Sequence, residues 1–143
     1  MPYGYTGKIL NVDLSNRKIE IEEHDEAFYR SYLGGRGIAY HYLMQKVPPR
    51  IDPFAPENIL VLATGVMTGA PLPAACRFTA AGKSPLTGSA GESEAAGFFG
   101  PELKMAGFDA VVFKGASETP VYLWVTEGKA EIKELAPRGK DDD

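Results

Sequence analysis

The chain has one cysteine, Cys76, and one tryptophan, Trp124, in 143 residues. A single cysteine excludes an intramolecular disulfide framework and any cluster or zinc site held by several cysteines of this chain. Only two histidines occur, His24 and His41, without a metal partner one helical turn away, so both read as ordinary surface or half-buried residues. No apolar run approaches the ~18 residues of a membrane span. The N-terminus shows neither an export signal nor a transit pattern. Basic residues are in deficit, 15 against 19 acidic, for a net charge of -4. That balance argues against a nucleic-acid scaffold. HExxH, GxSxG, Walker A, CxxC and EF-hand patterns are all missing. The expectation is a reduced, soluble, cytoplasmic protein with neither a nucleic-acid nor a membrane partner.

What is present is glycine and proline, 16 and 11 residues. They concentrate between Leu33 and Gly107, in GGRG (34–37), VPPR (47–50), TGAPLP (68–73), SPLTG (84–88) and FFGP (98–101). Loops this dense either pack on one another or hold something. The length suits one domain, residues 1–143, and the polar GKDDD end suggests a frayed tail over 136–143 or a chain that continues.

The regular parts lie towards the ends. KILNVDL (8–14) and KIEIE (18–22) flank Ser15-Asn16-Arg17 and predict an antiparallel hairpin. Asp25 is a candidate N-cap for a helix carrying Phe28, Tyr29, Tyr32 and Leu33. Gly34-Gly35 ends it, and a second helix runs from about Gly37 to Lys46, where Pro48-Pro49 stops it. NILVLA (58–63) reads as a strand buried on both faces, and 77–81 as a weaker strand. PELKMA (101–106) predicts a short helix with proline at its first position. AVVFK (110–114), VYLWVT (121–126) and 130–135 read as strands, the last two as a second hairpin.

Charge embedded in the loops marks the candidate site. Arg36 in GGRG offers a planar fork for phosphate or carboxylate, or it caps a carbonyl in an interhelical turn. Cys76-Arg77, Lys83–Gly88 and Gly91–Gly97 form a second cluster whose small residues expose backbone N–H groups. Glu92 and Glu94 offer oxygens suited to a hard cation, or belong to a solvated loop. Cys76 itself reads as a packing residue.

Five ordered blocks carry a resemblance: YGYTGKILNVDLS (3–15), YLGGRGIA (32–39), DPFAPENILVLATGVMTGAPLP (52–73), KSPLTG (83–88) and GFFGPELKMAGFDAVVFKGASETPVYLWV (97–125). Together they resemble the N-terminal domain of tungsten-containing aldehyde:ferredoxin oxidoreductases, over residues 3 to about 135. The resemblance implies an α+β fold in which antiparallel β-sheets form a saddle or partial barrel with short helices between. It implies a tungsten or molybdenum ion held by two pterins whose phosphates are bridged by magnesium. It implies a four-iron four-sulfur cluster and acid/base residues in later domains absent from this chain.

By the same resemblance, Arg77 contacts the cofactor, and Ser93, Glu94, Ala96 and Gly97 line the pterin or hold magnesium. The family tetrad Asn-Ser-Gly-Gly reads Glu94-Ala95-Ala96-Gly97 here, so Gly97 matches while Glu94 and Ala96 depart. The implied activity of the complete protein is oxidation of an aldehyde to a carboxylic acid with ferredoxin as electron acceptor. The alternatives are a non-catalytic pterin-binding module, a split subunit that needs a partner chain for the cluster, or a remnant without ligand. The implied partners are the remaining domains or a partner subunit, and ferredoxin. Phe98, Phe99, Tyr122 and Trp124 either form an apolar face that meets them or supports a homo-oligomer, or belong to ordinary core packing.

Overall fold

The computed structural model describes residues 4–135. The expected frayed tail at 136–143 lies outside them, as does Tyr3. The alternating stretches form the first hairpin, β1 (Lys8–Asp13) with β2 (Lys18–Glu23), and Arg17 takes a positive φ of 51° in the turn. Helix α1 (Glu26–Tyr32) is capped by Asp25, whose carboxylate accepts from the Phe28 N–H at 2.9 Å. Helix α2 (Arg36–Lys46) follows after two glycines. The remaining elements are β3 (Ile59–Thr64), β4 (Phe78–Lys83), β5 (Ala90–Ala95), α3 (Phe99–Met105), β6 (Ala110–Lys114), β7 (Val121–Thr126) and β8 (Lys129–Glu134).

Six strands form one sheet in the order β2-β1-β6-β3-β4-β5, and β7-β8 form a separate two-stranded sheet. All neighbours are antiparallel except β1 and β6, which run parallel. The architecture is α+β, as expected. The main sheet is mixed and open, without closure into a barrel.

Each face of the sheet has its own core. On one face Ile9, Val61, Ala63, Ala81, Ala110 and Val112 pack under α1 and α2, against Tyr29, Ile38, Ala39 and Tyr42. On the other, Leu10, Val12 and Val111 meet Leu103 and Phe108, with the β7–β8 hairpin closing over them through Leu123, Val125 and Ile132. Fully burying one large apolar side chain contributes about 1.5–3 kcal/mol. The hairpin and α3 do not reach across the whole second face. Leu60 on β3 is therefore 47% exposed, so this strand is not buried on both faces as its apolar run suggests. Phe98, Phe99, Tyr122 and Trp124, which the sequence left open between an exposed face and ordinary core packing, are exposed.

Two other local expectations change. Helix α3 starts at Phe99, so Pro101 stands at its third position, still inside the first turn where its missing N–H costs nothing. Residues 90–95, expected as loop, form edge strand β5. AGESEA has no apolar alternation, and pairing with β4 rather than burial makes it a strand.

A buried ion pair fixes the N-terminal segment. Asp109 is 1% exposed. Its carboxylate takes hydrogen bonds from the Thr6 N–H (2.9 Å), the Thr6 hydroxyl (2.9 Å), the Gly7 N–H (2.8 Å) and the Lys104 ammonium (2.8 Å). Burial alone would raise the pKa of this carboxyl. The Lys104 charge and the hydrogen bonds from Lys104 and Thr6 outweigh burial and hold it below the ordinary carboxylate range. Lys104 also donates to the Gly4 carbonyl at 2.7 Å.

Candidate functional site

GGRG makes the turn between α1 and α2 possible. A Cβ on Gly37 would lie 2.0 Å from the Tyr32 carbonyl oxygen, so only glycine fits there. The tight turn sets the start of α2 beside β4. The Gly35 N–H donates to the Thr64 carbonyl at 2.8 Å, and no side chain caps the helix. Uncapped N–H groups at a helix start present positive partial charge.

Strand pairing brings the second cluster to the same place. Thr79 stands opposite Glu94 and Ala81 opposite Glu92. By the two-residue period of a strand, Arg77, Thr79, Glu92 and Glu94 all project from the face that α2 covers. Between them lies an open cleft of about 380 Å³, lined by Gly34, Gly35, Arg36, Arg77, Thr79 and Glu94, with the 65–68 and 74–75 loops completing it. That volume lies within the range usual for small-molecule sites.

Two guanidiniums meet at this cleft. Arg36 Nη2 is 2.5 Å from Glu92 Oε1 and 3.8 Å from Glu94 Oε1. Arg77 Nη1 is 3.5 Å from Glu94 Oε2. Glu94 thus faces one arginine with each oxygen. Both arginine side chains stay largely exposed, 60% for Arg36 and 64% for Arg77. Beneath them, the Thr68 hydroxyl donates to the Arg77 carbonyl at 2.7 Å and accepts from the Gly65 N–H at 3.0 Å, which ties the two loops together.

Of the residues singled out from sequence, Arg77 and Glu94 line this cleft. Ser93 stands opposite Ala80 and projects from the other face, beside Leu60. Ala96 and Gly97 lie just beyond the end of β5. Gly97 takes a positive φ of 130°, and a Cβ there would meet open space. Arg36, Gly34, Gly35 and Thr79 join the site on tertiary placement. Glu92 and Glu94 serve as partners of arginines, and among the described residues no group of three or more His, Cys, Asp or Glu comes together to hold a metal ion.

The histidines stand apart from the cleft. His24 Nε2 is 2.9 Å from the Tyr42 hydroxyl, which donates to Glu22 Oε2 at 2.9 Å. His41 packs among aromatic rings, 4.2 Å from the Tyr32 centroid, and burial, helped by His24, lowers its pKa. No helix among the described residues is long and apolar enough to cross a membrane.

Comparison with known proteins identifies the family of the chain. The model of the aldehyde ferredoxin oxidoreductase N-terminal domain matches residues 9–141. The tungsten-containing aldehyde ferredoxin oxidoreductase of Pyrococcus horikoshii is 42% identical over 134 residues, covering 94% of this chain and 22% of the relative. The WOR-like subunit of an aliphatic sulfonate oxidoreductase from Pyrococcus furiosus is 32% identical, over 92% of this chain and 21% of its own length. A chain in the solved active-site complex BamBC of benzoyl coenzyme A reductase, in complex with 1,5-dienoyl-CoA, superposes with a TM-score of 0.89 at 40% identity. The superposition covers 94% of this chain and 20% of that one. This chain thus spans about a fifth of the length of the relatives it matches. It belongs to the aldehyde ferredoxin oxidoreductase N-terminal domain family.

Proposed function

We propose that this chain is the cofactor-cradling part of a tungsten-dependent oxidoreductase, and that the cleft beside Arg36 and Arg77 receives the phosphate-bearing end of a pterin cofactor. The observation that carries the reading is the convergence of two exposed guanidiniums and an uncapped helix start on one open cleft. The fit is chemical. Phosphate oxygens accept two parallel hydrogen bonds from a guanidinium fork, and they gain from a helix amino end. The open space at Gly97 leaves the neighbouring backbone accessible to a bulky group.

When bound, the metallocofactor supplies the redox chemistry, and the protein supplies placement. Arg77 and Arg36 fix the anionic end. Thr79 and the 65–68 loop shape the floor of the cleft. The Thr68 hydroxyl holds the backbone just before β4, so that Arg77 leaves the sheet in a fixed direction.

Oxidation of an aldehyde to a carboxylic acid with ferredoxin as acceptor is our reading of the complete protein's activity, carried over from relatives that bear that name. Relatives named for a sulfonate oxidoreductase and for benzoyl coenzyme A reductase share the same domain. That sharing supports a role in cofactor placement common to several substrates. The magnesium bridge, the iron–sulfur cluster and the remaining partners belong to the same reading.

The test is metal content. The full-length protein, purified anaerobically after growth with tungstate, should carry tungsten or molybdenum. Arg77→Ala should lower that content at least several-fold while the fold, followed by circular dichroism, is kept. Unchanged metal content in the variant would remove the role of Arg77.

A further inference from the structure

Gly100 is a glycine that its own backbone does not require. It lies buried in the first turn of α3, with ordinary helical geometry. Glycine within a helix is less favourable than alanine, because it loses more backbone freedom on folding. The reason for it here is tertiary. A Cβ at this position would stand 3.0 Å from Cγ2 of Thr68, 3.3 Å from the Cys76 carbonyl oxygen and 3.4 Å from that of Arg77. The start of α3 therefore rests directly on the backbone that carries Arg77. One residue along on each side, the rings of Phe78 and Phe99 pack with centroids 4.7 Å apart.

Thr68 fills the remaining side of this contact and is 7% exposed. Its hydroxyl donates to the Arg77 carbonyl and accepts from the Gly65 N–H, while its methyl faces Gly100. One side chain thus ties together the 65–68 turn, the backbone of Arg77 and the first turn of α3. Gly97 precedes that helix by two residues, so the seat of Gly100 also sets where the Gly97 turn lies. Arg77 depends on such support. Among the described residues its exposed guanidinium has Glu94 alone as an ion-pair partner, at 3.5 Å. A pair this exposed orients a side chain weakly, so the direction of Arg77 is set mainly by the backbone it leaves.

We propose that Thr68 and Gly100 are positioning residues, which hold Arg77 in register with the Gly97 turn so that one bound group meets both. This rests on the reading of Arg77 as a cofactor contact and adds what keeps that contact in place. Neither residue binds the group itself. Thr68 commits its hydroxyl to backbone, and Gly100 acts through the close approach that its missing side chain permits.

The test is the tungsten or molybdenum content per folded molecule of the full-length protein, purified anaerobically after growth with tungstate. Thr68→Val keeps the shape and loses the hydroxyl, so content should fall several-fold. Thr68→Ser keeps the hydroxyl and should rescue it. Gly100→Ala favours the helix and should still lower content several-fold. Thr68→Ser in the Gly100→Ala background removes the methyl that the new Cβ meets, and should recover part of that loss. A general loss of stability would not reproduce the dependence on Arg77: in an Arg77→Ala background, Thr68→Val should lower content no further. Circular dichroism confirms the fold of each variant, and the Gly100→Ala pair decides if Thr68→Val does not fold. If Arg77→Ala lowers content while Thr68→Val or Gly100→Ala matches the unmodified protein, the role of that residue is wrong and the reading of Arg77 stands. The same holds for Thr68 if Thr68→Val lowers content equally with and without Arg77. If Arg77→Ala leaves content unchanged, the reading of Arg77 fails and the positioning role falls with it.

Discussion

The Lys104 ammonium stands 2.8 Å from Oδ1 of Asp109, with 12% and 1% of the two side chains exposed. Asp109→Ala leaves the ammonium unpaired and strands the N–H groups of Thr6 and Gly7. A loss of about 3–5 kcal/mol is expected, as for other buried pairs broken on one side. The sign with pH follows from linkage. Because the folded carboxyl titrates below its ordinary range, its contribution is complete at neutral pH and drains away as acid drives the pH below about 4. Urea unfolding between pH 7 and pH 3 should show a falling midpoint in the unmodified chain and a flatter dependence in Asp109→Asn.

Two buried tyrosines should respond in opposite ways to removal of the hydroxyl. The Tyr29 hydroxyl has no hydrogen-bond partner among the described residues. Burial, reinforced by the nearby Asp109 charge, pushes its pKa far up, so it stays neutral. Tyr29→Phe should hold stability within about 0.5 kcal/mol or improve it. Tyr42 donates to Glu22 and meets His24, and Tyr42→Phe should cost about 1–2 kcal/mol. Thermal unfolding of the pair is the check, and equal shifts would refute the contrast.

Gly37→Ala should be among the most damaging changes that leave charge alone. The added methyl meets a backbone carbonyl, which cannot rotate aside as a side chain would. Overpacking of this kind costs about 1–3 kcal/mol. It should also displace Arg36, so the tungsten or molybdenum content of the full-length protein should fall together with the melting temperature.

Leu123→Ala separates stability from binding. Leu123 belongs to the second core, where the β7–β8 hairpin closes on Leu103 and Phe108. Truncating this half-buried side chain should cost about 1–3 kcal/mol and speed amide exchange in β7 and β8. The metal content of the full-length protein should stay level, since the cleft lies between α2 and β4.

Much of the fold was legible because periodicity and caps act locally. KIEIE shows its alternation, Asp25 announces α1, and AVVFK is bounded as β6 is. The parallel pairing of β1 with β6 joins stretches some hundred residues apart, and no local pattern carries it. Strand β5 was hidden because its residues gain from β4's hydrogen bonds rather than from burial. At the site, Arg77 and Glu94 were reached through the family resemblance. Arg36 was weighed both as a fork for phosphate or carboxylate and as a turn residue, because its place beside the cleft comes from where α2 starts relative to β4. Ser93 was read with the loop around it, and a strand's alternation turns it away.

The order of the main sheet leaves β2 and β5 as its two rims. These are the strands that read KIEIEE and AGESEA. A second chain docking edge to edge would bring its own acidic row against this one, so self-templated growth into fibrils is opposed at both ends of the sheet. Replacing both Glu92 and Glu94 by glutamine therefore removes charge from one rim, and the doubly substituted chain should cloud at concentrations where the natural one stays clear.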